Sequence, residues 1–373
     1  MGKKVIISVI SDLATDQRVN RSAQTLHSNG WEVLLIGRQL PNSPEMDQRP
    51  YKVKRFRLWF NSGVLFYLNY NLRLFWHLLT HSFDVAFSND LDTLPANFIA
   101  SRLKNKILVY DSHEYFTGVP ELVNRKFKRS IWRFAERLLV PSIKYLFTVN
   151  KSIAELYKNE LNVDFKVMRN VPDVHSLQLE DKMIFRIKNE LPVDKFIYII
   201  QGSGINIQRG SEEAVEAMQF LDAVLLIVGS GDVIDLLKEK VKVLSLEEKV
   251  IFRPRMPYAE MMQYTYASDA GLSLDKDTNI NYRFSLPNKL FDYIHAGIPV
   301  LVSDLTEIRN IVDGYNIGLI TDTHEPKQLA NWMNKMQDAE LIYVWKLGLK
   351  KAAKDLNWHK EKEVLLSTFR NFE

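Results

Sequence analysis

Short apolar runs rich in Val, Ile, Leu and Phe alternate along the chain with longer stretches whose apolar positions recur at helical spacing. In the first half, Val5–Ile10, Glu32–Ile36, Val53–Leu58, Val85–Ser88, Ile107–Tyr110 and Leu146–Val149 read as strands. The second half repeats the scheme with Phe196–Ile200, Val224–Val228, Val250–Phe252, Ala270–Leu274, Pro299–Val302 and Gly318–Ile320. Apolar strands separated by amphipathic helices are the signature of parallel sheets covered by helices, so the predicted fold class is α/β. The first helix illustrates the pattern: Val19, Ala23 and Leu26 share one face, and Gly30 stands where a left-handed C-terminal cap is wanted. From about Val171 to Pro192 the pattern gives way to polar and charged residues between two prolines. That break predicts a linker and two domains, 1–174 and 175–373, with the last helix, about 357–373, free to pack back on the N-terminal domain.

Composition narrows the class. A length of 373 residues suits two domains, and 46% hydrophobic with 25% charged residues is the profile of a folded chain. The absence of cysteine excludes disulfides and thiolate metal sites and is compatible with a cytoplasmic address. The apolar run after Lys3-Lys4 ends at Ser11-Asp12, too soon for a signal peptide. Asn69, Asn71, Arg73 and His77 make Gly63–Thr80 too polar for a bilayer span, which predicts an amphipathic helix instead. A net charge of +4 favours anionic surfaces only mildly.

Ligands of open parallel sheets bind beyond the carboxyl ends of the strands, so candidate chemistry is sought there. The strand Phe196–Ile200 runs into Gln201-Gly202-Ser-Gly204-Ile-Asn206-Ile-Gln-Arg209-Gly210 and then a helix. Backbone donors in such a turn, with one guanidinium, suit a diphosphate. Ile207 replaces the third glycine of a dinucleotide fingerprint, and a tight turn with a surface arginine is the structural alternative. A second turn, Gly229-Ser-Gly231, follows Val224–Val228. The segment from Ser285 to Val300 predicts a helix entered through Pro287 and closed at Gly297. Lys289 in its first turn can meet phosphate, and Asp292, three residues on, can accept from a ribose diol.

SLPNKLFDYIHAGIPVLVSD resembles the signature of retaining glycosyltransferases of family 4, in the glycosyl transferases group 1 superfamily. That resemblance, in order over nearly the whole chain, implies the GT-B fold, two Rossmann-like domains facing across a cleft, the N-terminal one binding acceptor and the C-terminal one a nucleotide-diphosphate sugar. Asp292 matches the second acid of the family's Glu-x7-Glu motif, which binds the donor ribose; Phe284 stands at the first, with Ser285 beside it, and Asn288 and Lys289 are candidates for part of its work. The resemblance implies an arginine and a lysine paired on the diphosphate; Arg209 and Lys289 are the candidates, although the family's lysine comes from a different loop, with Gly202, Gly204, Asn206 and Gly229 around the diphosphate and Met256 and Pro257 near the base.

After Ile107–Tyr110, Asp111-Ser-His113-Glu114 crowds charge at a strand end. The resemblance implies that His113 reaches the donor sugar, which makes His113, Arg209 and Lys289 the catalytic candidates; Glu114 is an orienting group or a helix cap. Asp12, Thr15, Asp16 and Arg18 resemble the Thr-Asp-x-Arg-Val loop of one bacterial branch and, with Asp111 and Glu114, form the expected acceptor side; Asp16 also suits a helix N-cap. Asp90-Leu-Asp92 permits a metal-bound diphosphate, but either acid can cap the next helix, and the cations of the second half leave no need for a metal or other cofactor. The expected activity is sugar transfer with retention to a glycan or lipid-linked acceptor, as in bacterial polysaccharide, lipopolysaccharide or glycolipid synthesis. The basic, aromatic segment from Asn124 to Leu139 suits peripheral contact with an anionic membrane at its inner face, or packing on its own sheet. Nucleic acid is not an expected partner. The alternatives are a nucleotide-sugar 2-epimerase and a non-catalytic sugar-nucleotide-binding subunit.

Overall fold

A computed structural model describes every residue except 1, 44, 120, 121, 123, 124, 174–178 and 373. Thirteen strands are described, β1 (Lys4–Asp12), β2 (Glu32–Gln39), β3 (Lys52–Arg57), β4 (Val85–Asn89), β5 (Ile107–Ser112), β6 (Tyr145–Thr148) and β7 (Lys166–Val167), then β8 (Ile197–Gly202), β9 (Val224–Gly229), β10 (Val250–Arg253), β11 (Ala270–Ser273), β12 (Val300–Ser303) and β13 (Gly318–Thr321). Each predicted strand is present. The unpredicted β7 is a two-residue edge strand, too short to carry a hydrophobic pattern.

The strands form two all-parallel sheets, ordered β3-β2-β1-β4-β5-β6-β7 and β10-β9-β8-β11-β12-β13, with helices between most successive strands. Both are Rossmann-like. Strand order reverses between β1 and β4 in the first sheet and between β8 and β11 in the second, and at such a switch point the loops diverge and leave a crevice.

The chain divides into a unit of residues 1–170 with 361–373 and a unit of residues 171–360. In the first, Phe369 packs edge-on against Trp31 and beside Phe87, and Phe372 against Tyr145. The expected boundary between residues 174 and 175 lies outside the described residues. The expected linker is structured in part: Asp181 caps a helix Lys182–Lys188, accepting from Met183 N–H and Ile184 N–H. Lys182 and the buried Arg186 bind Asp269 at 2.6 Å each, which fixes that helix to the second unit. Among the described residues no helix is long and apolar enough to cross a membrane.

Candidate functional site

In the second unit, β8 and β9 end in glycine loops that touch backbone to backbone. A Cβ on Gly229 (φ +135°) would lie 1.8 Å from the Gly202 carbonyl oxygen, so only glycine admits this approach. Ser230 N–H donates to Gly202 O at 3.0 Å and Ile205 N–H to Ser230 O at 3.1 Å. Asn206 ties the loops as well, its Oδ1 accepting from Asp232 N–H at 3.3 Å. This carboxamide oxygen is occupied within the loops, and the half-buried Gly202 and Gly204 present the backbone around it.

Pro287 precedes the helix Asn288–Ala296, and Gly297 ends it in the left-handed conformation (φ +70°). This helix lies over the switch point. Lys289 Nζ sits 3.5 Å from Asp275 Oδ2, and Arg209 Nη1 is 3.3 Å from Asp275 Oδ1. Asp275, two residues beyond β11, is fully buried, and its Oδ2 makes no hydrogen bond. Two cations thus share one inward carboxylate. The Arg209 guanidinium also lies over the Tyr282 ring, 4.9 Å from its centre. Burial, the largest influence, lowers the Lys289 pKa; Asp275 opposes it, Arg209 adds to it, and the net shift is downward.

One turn along, Asp292 is buried against the end of β8. Its Oδ2 accepts from Gln201 Nε2 at 3.0 Å and its Oδ1 from Tyr258 Oη at 2.8 Å. Thr265 Oγ1 donates in turn to Gln201 Oε1. Tyr258 opens the helix after Met256 and Pro257, so the candidate ribose acid and base loop are joined by one hydrogen bond. Met256 is half-buried, while Pro257 and Asn288 are exposed. The buried Ser285 Oγ has no hydrogen-bond partner.

In the first unit, His113 follows β5 and is held on both sides. Nδ1 is 3.3 Å from Asp90 Oδ2; Nε2 is 3.3 Å from Asp111 Oδ2 and 3.1 Å from Asn89 Oδ1. Burial alone would depress the imidazole, but Asp90 and Asp111 outweigh it and push the pKa up to about 9. Burial likewise opposes ionisation of Asp111, yet Arg18 and His113 hold its carboxyl well below the usual range. Both ring nitrogens of His113 are thus engaged, and the two flanking acids favour its cationic form.

Several expectations need correction. Arg18 is no outward sensor: it is buried, gripping Asp111 with Nε at 3.0 Å and Nη2 at 2.8 Å and donating to Met168 O. Asp16 takes the N-cap role that its position suggested, accepting from Val19 N–H at 3.1 Å. Asp12 pairs with Arg55 at 3.1 Å and also with Ser43. Thr15 is exposed beside it. Neither Asp90 nor Asp92 caps the helix Leu94–Leu103, whose N-cap Thr93 makes no side-chain cap bond; Asp90 holds His113 instead. Glu114 is exposed, and Asp90 rather than Glu114 is the second acid beside His113. Asp275, Gln201 and Tyr258 were outside the predicted set. Asp275 had one signal, an acid directly beyond a buried strand. No cluster of three or more His, Asp or Glu able to hold a metal occurs among the described residues.

Residues 17–173 match the family Glycosyltransferase Family 4 and residues 181–341 the family Glycosyl transferases group 1. No curated protein matches the chain in sequence. Among solved structures, sucrose-phosphate synthase from Thermosynechococcus elongatus superposes with a TM-score of 0.80 at 16% identity over 99% of this chain and 98% of that one. HepE of Anabaena, in complex with UDP and glucose, gives 0.77 at 15% identity over 99% and 100%. WaaG, a glycosyltransferase involved in lipopolysaccharide biosynthesis, gives 0.69 at 15% over 96% and 99%. At these identities the structures establish a shared fold, GT-B, and the two family matches span most of the sequence. The chain belongs to the family 4, group 1 glycosyltransferases.

Proposed function

We propose that this glycosyltransferase takes its sugar from a nucleotide-diphosphate donor held by Arg209, Lys289 and Asp292, transfers it with retention, and needs no metal. The observation that carries this reading is the shared carboxylate of Asp275. Two cations converge on one buried anion at the carboxyl edge of a parallel sheet, where a diphosphate would add the second anion that their combined charge can neutralise. Asp292 lies one helical turn from Lys289 and accepts from Tyr258, an arrangement suited to ribose and base. HepE, bound to UDP and glucose, is a precedent for such a donor within the fold.

In the proposed reaction the bond between the anomeric carbon and the leaving phosphate oxygen breaks, and a bond from the acceptor hydroxyl forms on the same face. The hydroxyl proton passes to the departing diphosphate. Charge grows on that leaving group, where Arg209, Lys289 and the glycine-loop amides stabilise it. His113, an imidazolium between two acids, acts by charge and hydrogen bonding rather than as a base. The acceptor is proposed to be a glycan or lipid-linked sugar, in polysaccharide, lipopolysaccharide or glycolipid synthesis, with the enzyme working in the cytoplasm at the membrane's inner face.

Incubating the protein with labelled UDP-, GDP-, ADP- and CMP-sugars in EDTA, with and without extracted glycolipid acceptors, tests the reading. Label should pass from one donor to acceptor, with the donor's anomeric configuration in the product by NMR. An epimerised free sugar nucleotide, or an absolute need for magnesium, would overturn it.

A further inference from the structure

Three helices, Gly63–Thr80, Leu94–Leu103 and Lys126–Leu139, form one layer on the first sheet. Inward, Tyr70, Leu74, Ala96 and Ala100 share a core with Ile6 and Ala86. Side to side, Ala96 N–H donates to Asn71 Oδ1 at 3.2 Å, and the rings of Tyr67 and Trp132 meet edge-on at 5.2 Å. Outward, the layer is apolar where water would favour polar residues. Phe127, Ile131, Phe134 and Leu138 recur at helical spacing, with Phe127 78% and Phe134 68% exposed, while Glu136 of the same helix is buried. Its apolar stripe faces away from its own core. The helix Gly63–Thr80, expected to be amphipathic, repeats this: Leu65, Leu68, Leu72 and Trp76 form an outward row, with Trp76 68% exposed. Ile99 and Leu103 continue it on the middle helix.

Charge on this layer has one sign. The first two helices carry no acid, and the third only the buried Glu136. Arg102, Lys126, Lys128 and Arg137 are exposed beside the apolar rows. We infer that the whole three-helix face docks on a bilayer with anionic headgroups, its apolar rows entering the headgroup boundary and its cations meeting lipid phosphates. A second copy of the chain fits less well, because a two-fold contact would set these cations against themselves. The exposed Trp59 and Phe60 join the carboxyl end of β3, near Arg55 and Asp12, to this face. A lipid-linked acceptor lying in the bilayer would thus meet the carboxyl edge of the first sheet directly. The inference deepens the proposed function and rests on it only for that acceptor; vesicle binding needs no donor, so either can fail alone.

Flotation of the full chain with phosphatidylcholine vesicles, with and without added phosphatidylglycerol, tests it. The protein should float only with the anionic vesicles. The triple variant Lys126→Glu, Lys128→Glu, Arg137→Glu should weaken binding about a hundredfold, and Leu72→Ser with Trp76→Ser should weaken it even at low salt. Nucleotide-dependent thermal stabilisation should persist in both. Failure of the wild type to float, equal flotation of either variant, or a stable dimer that the apolar variant dissolves would overturn the inference.

Discussion

Substituting Asp275→Asn removes the one carboxylate that Arg209 and Lys289 share, and the structure fixes the consequence. Losing one member of a fully buried pair costs about 3–5 kcal/mol, and the 3.3 and 3.5 Å separations with Arg209 29% exposed bring the expectation to about 2 kcal/mol. For a unit of this size that is a fall of about 4–8 °C in Tm. Lys289, 11% exposed, then keeps the burial and the Arg209 repulsion that lower its pKa and loses the acid that raises it. The stability loss should therefore shrink as pH rises and Lys289 gives up its proton. A nucleoside diphosphate supplies the missing charge, so its thermal-shift gain should be larger in the variant than in the wild type. Calorimetric melts over a pH series, with and without UDP, GDP, ADP or CDP, measure all three effects. A variant as stable as the wild type, or one no longer stabilised by any diphosphate, would refute the reasoning.

His113 has a folded pKa raised to about 9 from an ordinary 6.5, so its contribution is complete below pH 6.5 and lost as pH rises through 9. That amounts to about 3 kcal/mol, and His113→Gln should flatten the slope of urea-unfolding free energy between pH 6.5 and 9. Asp111→Asn, which strips Arg18 of its buried partner, should cost about 3–5 kcal/mol and lower the urea midpoint more than Asp12→Asn does.

The sheets were legible because strands buried on both faces must be apolar throughout, and Val5–Ile10 or Val224–Val228 can be little else. The helix Lys182–Lys188 was not legible, because Lys182 and Arg186 look like linker charges until Asp269 is known to meet them. The same limit governs the site. Arg209 stands out by its position after a strand, Lys289 by its place in a first helical turn, and Asp292 by following it three residues on. Asp275 does not, because its pairing with Arg209 spans 66 residues. Arg18 reads as a loop cation until the fold brings Asp111 to it from 93 residues away. Periodicity marks the stripe Phe127, Ile131, Phe134 and Leu138, but which way a stripe faces is decided by tertiary packing.

The central claim, that Arg209 and Lys289 hold the donor diphosphate without a metal, meets its most direct test in isothermal titration of the wild type and Lys289→Ala with the nucleoside diphosphate that gives the largest thermal shift, in EDTA. The wild type should bind it one to one and the variant at least about a hundredfold more weakly, the loss of a charge-assisted contact of about 3 kcal/mol. Equal affinity in the two proteins, or wild-type binding only after magnesium is added, would contradict the claim.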